Sequence, residues 1–575
     1  MTIPSAVFAR SSRGYDLQLG TLRIPQSTYL LVAALMVGVG GGFGAVAFRA
    51  LIALATTLAG DLTRLLAPLG PFALIVSVGV GGAIAAFLAA RFAPEARGHG
   101  VPEVMAAVAL RGGVIRPRII VIKALASAVT IGFGGAAGRE GPIVQIGSTI
   151  GSVLGQLARA PAPIVRTLVA CGAAAGISAT FNAPIGGVFF ASEVILGDFA
   201  PRSFAVIVVA SVTSAVIGRT MLGDRPSFDA SGFVLVSPRE LVLYAILGVL
   251  CAVWATGFVK LLYACEDGAD RIKLPATLKG FTGFAVVGAI GVFLPQILGV
   301  GYGAMQHVLD GHVDIGRAAL LAVAKPVATS LTLAAGGSGG VFAPSLYTGA
   351  MLGDAFGRIA HLLFPTWTAT AAAYGLVGMA AVFAAAAEAP ITAIMIVFEM
   401  SDDYTIILPL MIATVIASIL GRRLLRSTVY EMKLQRRGID WERVRRPHAL
   451  AEQTVAGILN TIDRDAVAGT DEAGAVAARI AGRDGVAVTG DGAVTGTVSA
   501  ASLASAVARD PHATIATLTI PVDVVLQPAD SLSRAADLFA DPAVIAIPVV
   551  DAAGAYLGTI HRSDVLDAYR SGRGG

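Results

Sequence analysis

The chain has 575 residues, of which 55% are hydrophobic and only 14% charged, and its mean hydropathy is +0.76. Soluble domains carry about a quarter charged residues, so this composition excludes an ordinary soluble enzyme and predicts many membrane crossings. The formal charge of +4 hides an imbalance, because residues 451–575 hold 8 Arg against 15 Asp and Glu, net −7, which leaves +11 for the rest.

In chain order, residues 1–27 are polar and basic, with Arg10, Arg13 and Arg23. They lack a short apolar core followed by a small-residue cleavage site, so they are expected to form a cytoplasmic N-terminal segment rather than a signal peptide. From Thr28 to Gly60 the only charge is Arg49, and from Thr167 to Gly197 the only charge is Glu193. Each run exceeds the roughly 20 apolar residues that span a bilayer.

Apolar blocks broken by Gly and Pro continue to Leu425, which predicts an all-α polytopic domain of about 16–18 helices of uneven length. Two of them, Pro102–Leu110 and Pro390–Glu399, are too short to cross roughly 30 Å of hydrocarbon at about 1.5 Å per residue. They must end inside the membrane, where non-helical backbone is tolerated only beside protein or a water-filled cavity. Polar breaks at Gly223–Ser237 and Glu266–Lys279 are expected outside the membrane, the first dividing residues 28–430 into repeats at 28–220 and 237–430.

The cysteines, Cys171, Cys251 and Cys265, have no framework spacing and read as packing residues. A basic run of Arg422, Arg423, Arg426, Lys433, Arg436, Arg437, Arg443, Arg445 and Arg446 follows the last apolar segment. By the positive-inside rule this end is expected to be cytoplasmic too, and because the run abuts a membrane span no nucleic-acid partner is expected. Residues 431–450 thus read as a basic linker. From 451 to 575 the texture changes to short β-branched runs, Gly/Asp turns and Ala-rich stretches, a soluble α/β domain.

One pattern occurs twice. Gly134-Gly135-Ala136-Ala137-Gly138-Arg139-Glu140-Gly141-Pro142 is followed by Ala183-Pro184-Ile185 and Glu193. Gly336-Gly337-Ser338-Gly339-Gly340-Val341-Phe342-Ala343-Pro344 is followed by Ala389-Pro390-Ile391 and Glu399, at offsets of 202 and 206. Gly/Pro-interrupted apolar segments at matching places in two halves point to a site at the membrane midplane built from broken helices. With Gly98-His99-Gly100-Val101-Pro102 there are three such junctions. A helix start presents unpaired N–H groups and about half a positive charge, which suits an anion without a full cation. Glycine lets backbone approach the ion, and proline is tolerated in the first helical turn. Loose binding of this kind also permits the release that conduction needs.

These motifs, with Phe181-Asn182-Ala183-Pro184 and Phe398-Glu399-Met400-Ser401-Asp402, resemble in order and spacing the CLC family of chloride channels and chloride/proton antiporters, of the bacterial type, from about Ser27 to Tyr430. The resemblance implies an inverted repeat of broken, tilted helices, and a homodimer in the plasma (inner) membrane with one pore per subunit. It implies a transport protein rather than an enzyme, with chloride as the bound ion and no metal or other cofactor required. Residues 547–566 resemble the CBS signature and 485–503 a weaker copy, implying a cytoplasmic CBS pair. Thr559 and Asp564 fall where nucleotide-loaded relatives bind an adenine nucleotide's ribose, whereas the first half has Ser502; structural pairing without nucleotide is the alternative.

Carried over by motif position, Glu140 is the gating glutamate whose carboxylate competes with the anion and moves aside when protonated; a buried ion pair with Arg139 is the alternative. A carboxylate at membrane depth is costly without a task or a partner. His99, Gly100, Arg139 and Gly141 join Val341 and Phe342 as anion-binding positions, and Tyr430 supplies an inner hydroxyl or serves as an interface tyrosine. Lys123 adds positive potential near the path, or snorkels. Two positions depart from the family. Val194 stands where antiporters carry the inner proton glutamate, so the chain is expected to be a passive chloride channel, with antiport by another proton route as the alternative. His99 stands where well-known members have serine; a neutral imidazole can donate one N–H to the anion and an imidazolium would hold it harder, or the ring turns away. The intact Gly141-Pro142 argues against a fluoride exporter.

Other classes fit less well. An intramembrane serine protease at Ser338 lacks a histidine in a second motif, and a CBS-regulated cation channel would need carboxylates along the path.

Overall fold

The computed structural model describes residues 7–11, 14–19, 22–224, 227–228, 233, 235–439 and 453–571, the last range without 460–461, 481–482, 491–492, 522–523, 540 and 542–543. The chain forms two compact units, Met1–Asp440 and Trp441–Gly575. Arg13, part of the Gly223–Ser237 break, and Arg443, Arg445 and Arg446 of the basic linker lie outside the described residues.

The first unit opens with strands that the sequence reading did not anticipate. β1 (Val7–Ser11), β2 (Gly14–Leu19) and β3 (Leu22–Ile24) form an antiparallel meander, with Val7 opposite Gln18 and Leu17 opposite Ile24. Helices follow as α1 (Gln26–Leu65), α2 (Phe72–Phe92), α3 (Val101–Leu110), α4 (Arg118–Gly132), α5 (Glu140–Leu157), α6 (Ala162–Phe181), α7 (Pro184–Phe190) and α8 (Pro201–Leu222). The second half has α9 (Glu240–Arg271), α10 (Ala276–Phe293), α11 (Tyr302–Leu309), α12 (Ile315–Ala334), α13 (Phe342–Leu363), α14 (Ala371–Ala387), α15 (Pro390–Ser401), α16 (Ile407–Leu424) and α17 (Glu431–Gln435).

Eight of the described helices are long and apolar enough to cross a membrane. The broken ones are α3, α7, α11 and α15, with 10, 7, 8 and 12 residues. Each starts at a Gly or Pro junction, where the backbone turns or an N–H is dispensable. α1 has 40 residues, about 60 Å at 1.5 Å per residue, so it is strongly tilted or extends beyond the hydrocarbon. One expected break shrinks: α9 runs on to Arg271, so Glu266 is helical and only Ile272–Pro275 separates it from α10. The polar end of α9 is tolerated because Lys433 donates to Glu266 at 2.6 Å and Arg436 pairs with Asp267.

Within each repeat one helix pair packs at matching glycines. A Cβ on Gly147 (α5) would lie 2.1 Å from the Gly172 carbonyl (α6), and one on Gly349 (α13) would lie 2.2 Å from the Gly378 carbonyl (α14). Only bare backbone allows helices this close, and at membrane depth such packing replaces the hydrophobic effect as the source of helix association.

In the second unit, β4 (Ala466–Ala468) runs parallel to β5 (Gly485–Gly490), which pairs antiparallel with β6 (Ala493–Ser499); β7 (Ile520–Pro521) adds to β6. β8 (Ala546–Val550) and β9 (Tyr556–His561) repeat the hairpin, and Leu526 bridges Val549 in parallel as β4 does β5. Each half has its own apolar core, one around Val467, Val486 and Leu503, the other around Leu526, Ile547 and Val565. The lead-in segments are exchanged: Val455 and Ile462 pack in the second core, Ile515 in the first.

Candidate anion-binding site

The junctions of the two repeats are tied to each other by their own backbone. Gly138 N–H donates to Gly340 carbonyl at 2.8 Å and Gly340 N–H returns to Gly138 carbonyl at 2.6 Å. Ala136 N–H donates to Thr332 Oγ1 at 3.1 Å, and its counterpart Ser338 N–H donates to Thr130 Oγ1 at 3.0 Å. Gly98 N–H donates to Gly337 carbonyl and Gly339 N–H to Gly98 carbonyl, at 3.1 and 3.2 Å, which draws in the start of α3. The first N–H groups of a helix have no partner within it, so three positive helix ends converge on one space.

That space is lined by the predicted His99, Glu140, Gly141, Val341, Phe342 and Tyr430, and also by Val101, Phe190 and Gly340. Two predicted residues are not in its lining. Gly100 instead makes the turn into α3 at φ +85°, where a Cβ would meet the Gly141 carbonyl at 2.9 Å. Arg139 faces outward, its guanidinium 4.8 Å over the Tyr302 ring and donating to the Thr180 carbonyl at 3.3 Å. No ion pair of Arg139 with Glu140 occurs among the described salt bridges; the guanidinium lies over the Tyr302 ring instead.

Glu140 is 1% exposed. Its Oε1 accepts from the Tyr302 hydroxyl at 2.9 Å and its Oε2 from the Ala343 N–H at 3.3 Å. The carboxylate thus already occupies one of the anion-seeking N–H groups of α13, and the pocket around it leaves almost no free volume. His99 is buried and both its ring nitrogens lack a hydrogen-bond partner. A buried polar group without a partner is costly. Tyr430 is buried at the start of α17, and the Phe342 ring is wedged at 4.3 Å against Phe383.

Lys123 does not snorkel. It is fully buried, and its Nζ donates to the Ala96 and Gly98 carbonyls at 2.9 and 2.8 Å, holding the loop that carries His99. The second repeat has a counterpart that the sequence reading missed: Lys325 Nζ donates to the Ile297 and Gly299 carbonyls at 2.8 and 2.7 Å. The 202-residue offset of the motifs, applied to Lys123, would have located it. Beyond Glu140 an open pocket of about 320 Å³ is lined by Arg49, Arg139, Arg219 and Tyr302, a concentration of positive charge that draws anions toward the gate. Val194 is buried in the irregular continuation of α7, Ala191–Leu196, and offers no titratable group.

Among the described residues, His307, Asp310 and His312 bring possible metal-ligand atoms within 4.8 Å of one another; all three are exposed and none lines the anion pocket. In the second unit, Thr559 is buried with its hydroxyl 2.7 Å from that of Tyr556, and Asp564 accepts from the His561 N–H at 2.7 Å. Burial holds the Tyr556 phenol above its ordinary pKa.

Comparison with known proteins decides the family. Residues 81–422 match the voltage gated chloride channel family and residues 517–571 the CBS domain. The chain belongs to the CLC family. It is 34% identical over 360 residues, 60% of this chain and 76% of the relative, to the H(+)/Cl(-) exchange transporter ClcA of Klebsiella pneumoniae. It is 33% identical over 345 residues, 59% of this chain and 80% of the relative, to the putative chloride channel protein ClcB-like of Ralstonia nicotianae. A slow cyanobacterial Cl-/H+ antiporter superposes with TM-score 0.67 at 29% identity over 71% of this chain and 97% of the other. A eukaryotic CLC transporter shares the fold over 93% of this chain and 97% of the other, with TM-score 0.61 at 21% identity. As a CLC protein the chain moves anions across a membrane, and it carries a C-terminal CBS domain.

Proposed function

We propose that this CLC protein exchanges chloride for protons, with Glu140 as the group on which the two compete. The observation that carries the reading is the Glu140 carboxylate at the start of α13, bonded to the Ala343 N–H. An anion can take that position only when the carboxylate leaves, and a proton on the carboxylate removes the charge that holds it there. Competition for one position couples the two ions. The closed pocket, lined by both Glu140 and Tyr430, supports an exchanger's stepwise cycle, and the relatives named exchange transporters support it too. His99 supplies an N–H to the bound chloride.

A second reading, the passive channel expected from the sequence, is favoured by one observation: Val194 cannot relay a proton from the inner side. Proton uptake driven by a chloride gradient in liposomes separates the two. We further propose a homodimer in the plasma membrane with both termini cytoplasmic, supported by Arg422 and Arg423 at the end of α16. The two halves of the C-terminal unit act as a CBS pair. The bonds that Thr559 and Asp564 make within the fold support a structural role for them rather than nucleotide binding.

A further inference from the structure

We propose that the Tyr302 hydroxyl is a latch that holds the Glu140 gate shut; the inference rests on Glu140 being the gate. Tyr302 opens α11 directly after Gly301, whose φ of +96° aims the chain inward. A Cβ at Gly301 would press on the Tyr347 ring at 2.7 Å, so the turn admits little else. Lys325 fixes the preceding Ile297–Gly299 backbone through two carbonyls. The ring is then clamped between the Arg139 guanidinium at 4.8 Å and Phe228 at 5.8 Å. Its hydroxyl reaches Glu140 Oε1 at 2.9 Å. The same side chain lines the open outer pocket while its hydroxyl holds Glu140 of the anion site, so it joins the two.

A phenol donates more strongly to a carboxylate than to a neutral carboxyl group. The latch therefore grips the ionised, closed gate and slackens once Glu140 takes up a proton. Charged and titratable groups facing Glu140 are Arg139 beside it, Lys325 of α12, Tyr302 of α11, His99 before α3 and Tyr430 before α17. Of these, Tyr302 is the one that donates a side-chain hydrogen bond to it among the described residues. It is a positioning residue, acting through Glu140 and not on the anion.

The test is chloride flux of the full-length protein in liposomes against pH, for wild type, Tyr302→Phe, Glu140→Gln and the double variant. Phenylalanine keeps the ring under Arg139 and removes only the hydroxyl. The latch predicts that Tyr302→Phe moves the midpoint of acid activation to higher pH by about one unit, about tenfold in proton concentration, the size expected for one charge-assisted hydrogen bond. It predicts no change when Tyr302→Phe is added to Glu140→Gln. A Tyr302→Phe profile that superposes on wild type overturns the latch, as does a Tyr302→Phe effect that persists in the Glu140→Gln background. Acid activation that survives in Glu140→Gln alone would instead remove Glu140 as the gate, a separate result.

Discussion

Glu193 and Glu399, one from each repeat, cap each other's neighbouring helix. Glu193 accepts from the N–H groups of Ile391 and Thr392 at 3.3 and 2.8 Å and from the Thr392 hydroxyl at 2.7 Å, at the start of α15. Glu399 accepts from the N–H groups of Ile185 and Gly186 at 2.9 and 2.6 Å, at the start of α7. Both helices begin inside the membrane domain with unpaired donors, and each carboxylate neutralises one such end.

Glu399→Gln keeps an acceptor and loses the charge. It is expected to lower stability by about 1–2 kcal/mol, the range for a partly buried charge at a helix start, and to leave the coupling of chloride to protons unchanged. Thermal denaturation of the detergent-purified protein together with flux in liposomes checks this. Altered coupling in a stable variant would mean that Glu399 belongs to the proton path and not to the scaffold.

Glu140→Gln removes the charge that competes with the anion. Lowering the pH protonates the wild-type carboxylate and frees its position, so wild-type flux rises toward acid. The amide variant has nothing to protonate, so its flux is expected to be high at neutral pH and flat with pH. Initial rates of chloride efflux between pH 4 and pH 8 read this directly.

His99→Phe fills the same place in the pocket without a donor. Loss of one hydrogen bond to a charged partner predicts chloride affinity lower by about tenfold or more, measured by calorimetric titration of purified protein. His99→Ser, which restores a donor, is expected to recover most of it. Equal affinity in all three proteins would mean that the ring faces away and backbone N–H groups alone bind the anion.

The broken helices, the doubled motif and most of the pocket were legible from residue types because Gly and Pro mark backbone events directly. His99, Glu140, Val341 and Phe342 sit at such junctions and line the site; Tyr430, which also lines it, has no Gly or Pro beside it and was placed by the family resemblance alone. What escaped has a different physical origin. Tyr302 lies on a helix of the second repeat whose local sequence says nothing about its reach to Glu140 in the first, Arg49 and Arg219 meet at the outer pocket only through helix packing, and Lys325 shows only when the repeat offset is applied to Lys123. Arg139 was misplaced for the same reason: its motif position fixes the backbone, while a long side chain chose the outer pocket. The strands at β1–β3 went unseen because a polar segment with short apolar stretches gives little periodic signal. Val194 is buried and apolar, which bears on the inner proton route only; transport mode depends on every route by which protons reach Glu140.

The central claim is that chloride and protons compete for the Glu140 position and so move in exchange. The most direct measurement places the full-length protein in liposomes with an outward-to-inward chloride gradient and no pH gradient, and follows pH with an electrode. Exchange predicts that protons are driven against their own gradient, and that the reversal potential shifts when a pH gradient is imposed. A reversal potential equal to the chloride equilibrium value at every pH gradient, with no uphill proton movement, would contradict it and establish the passive channel that Val194 suggests.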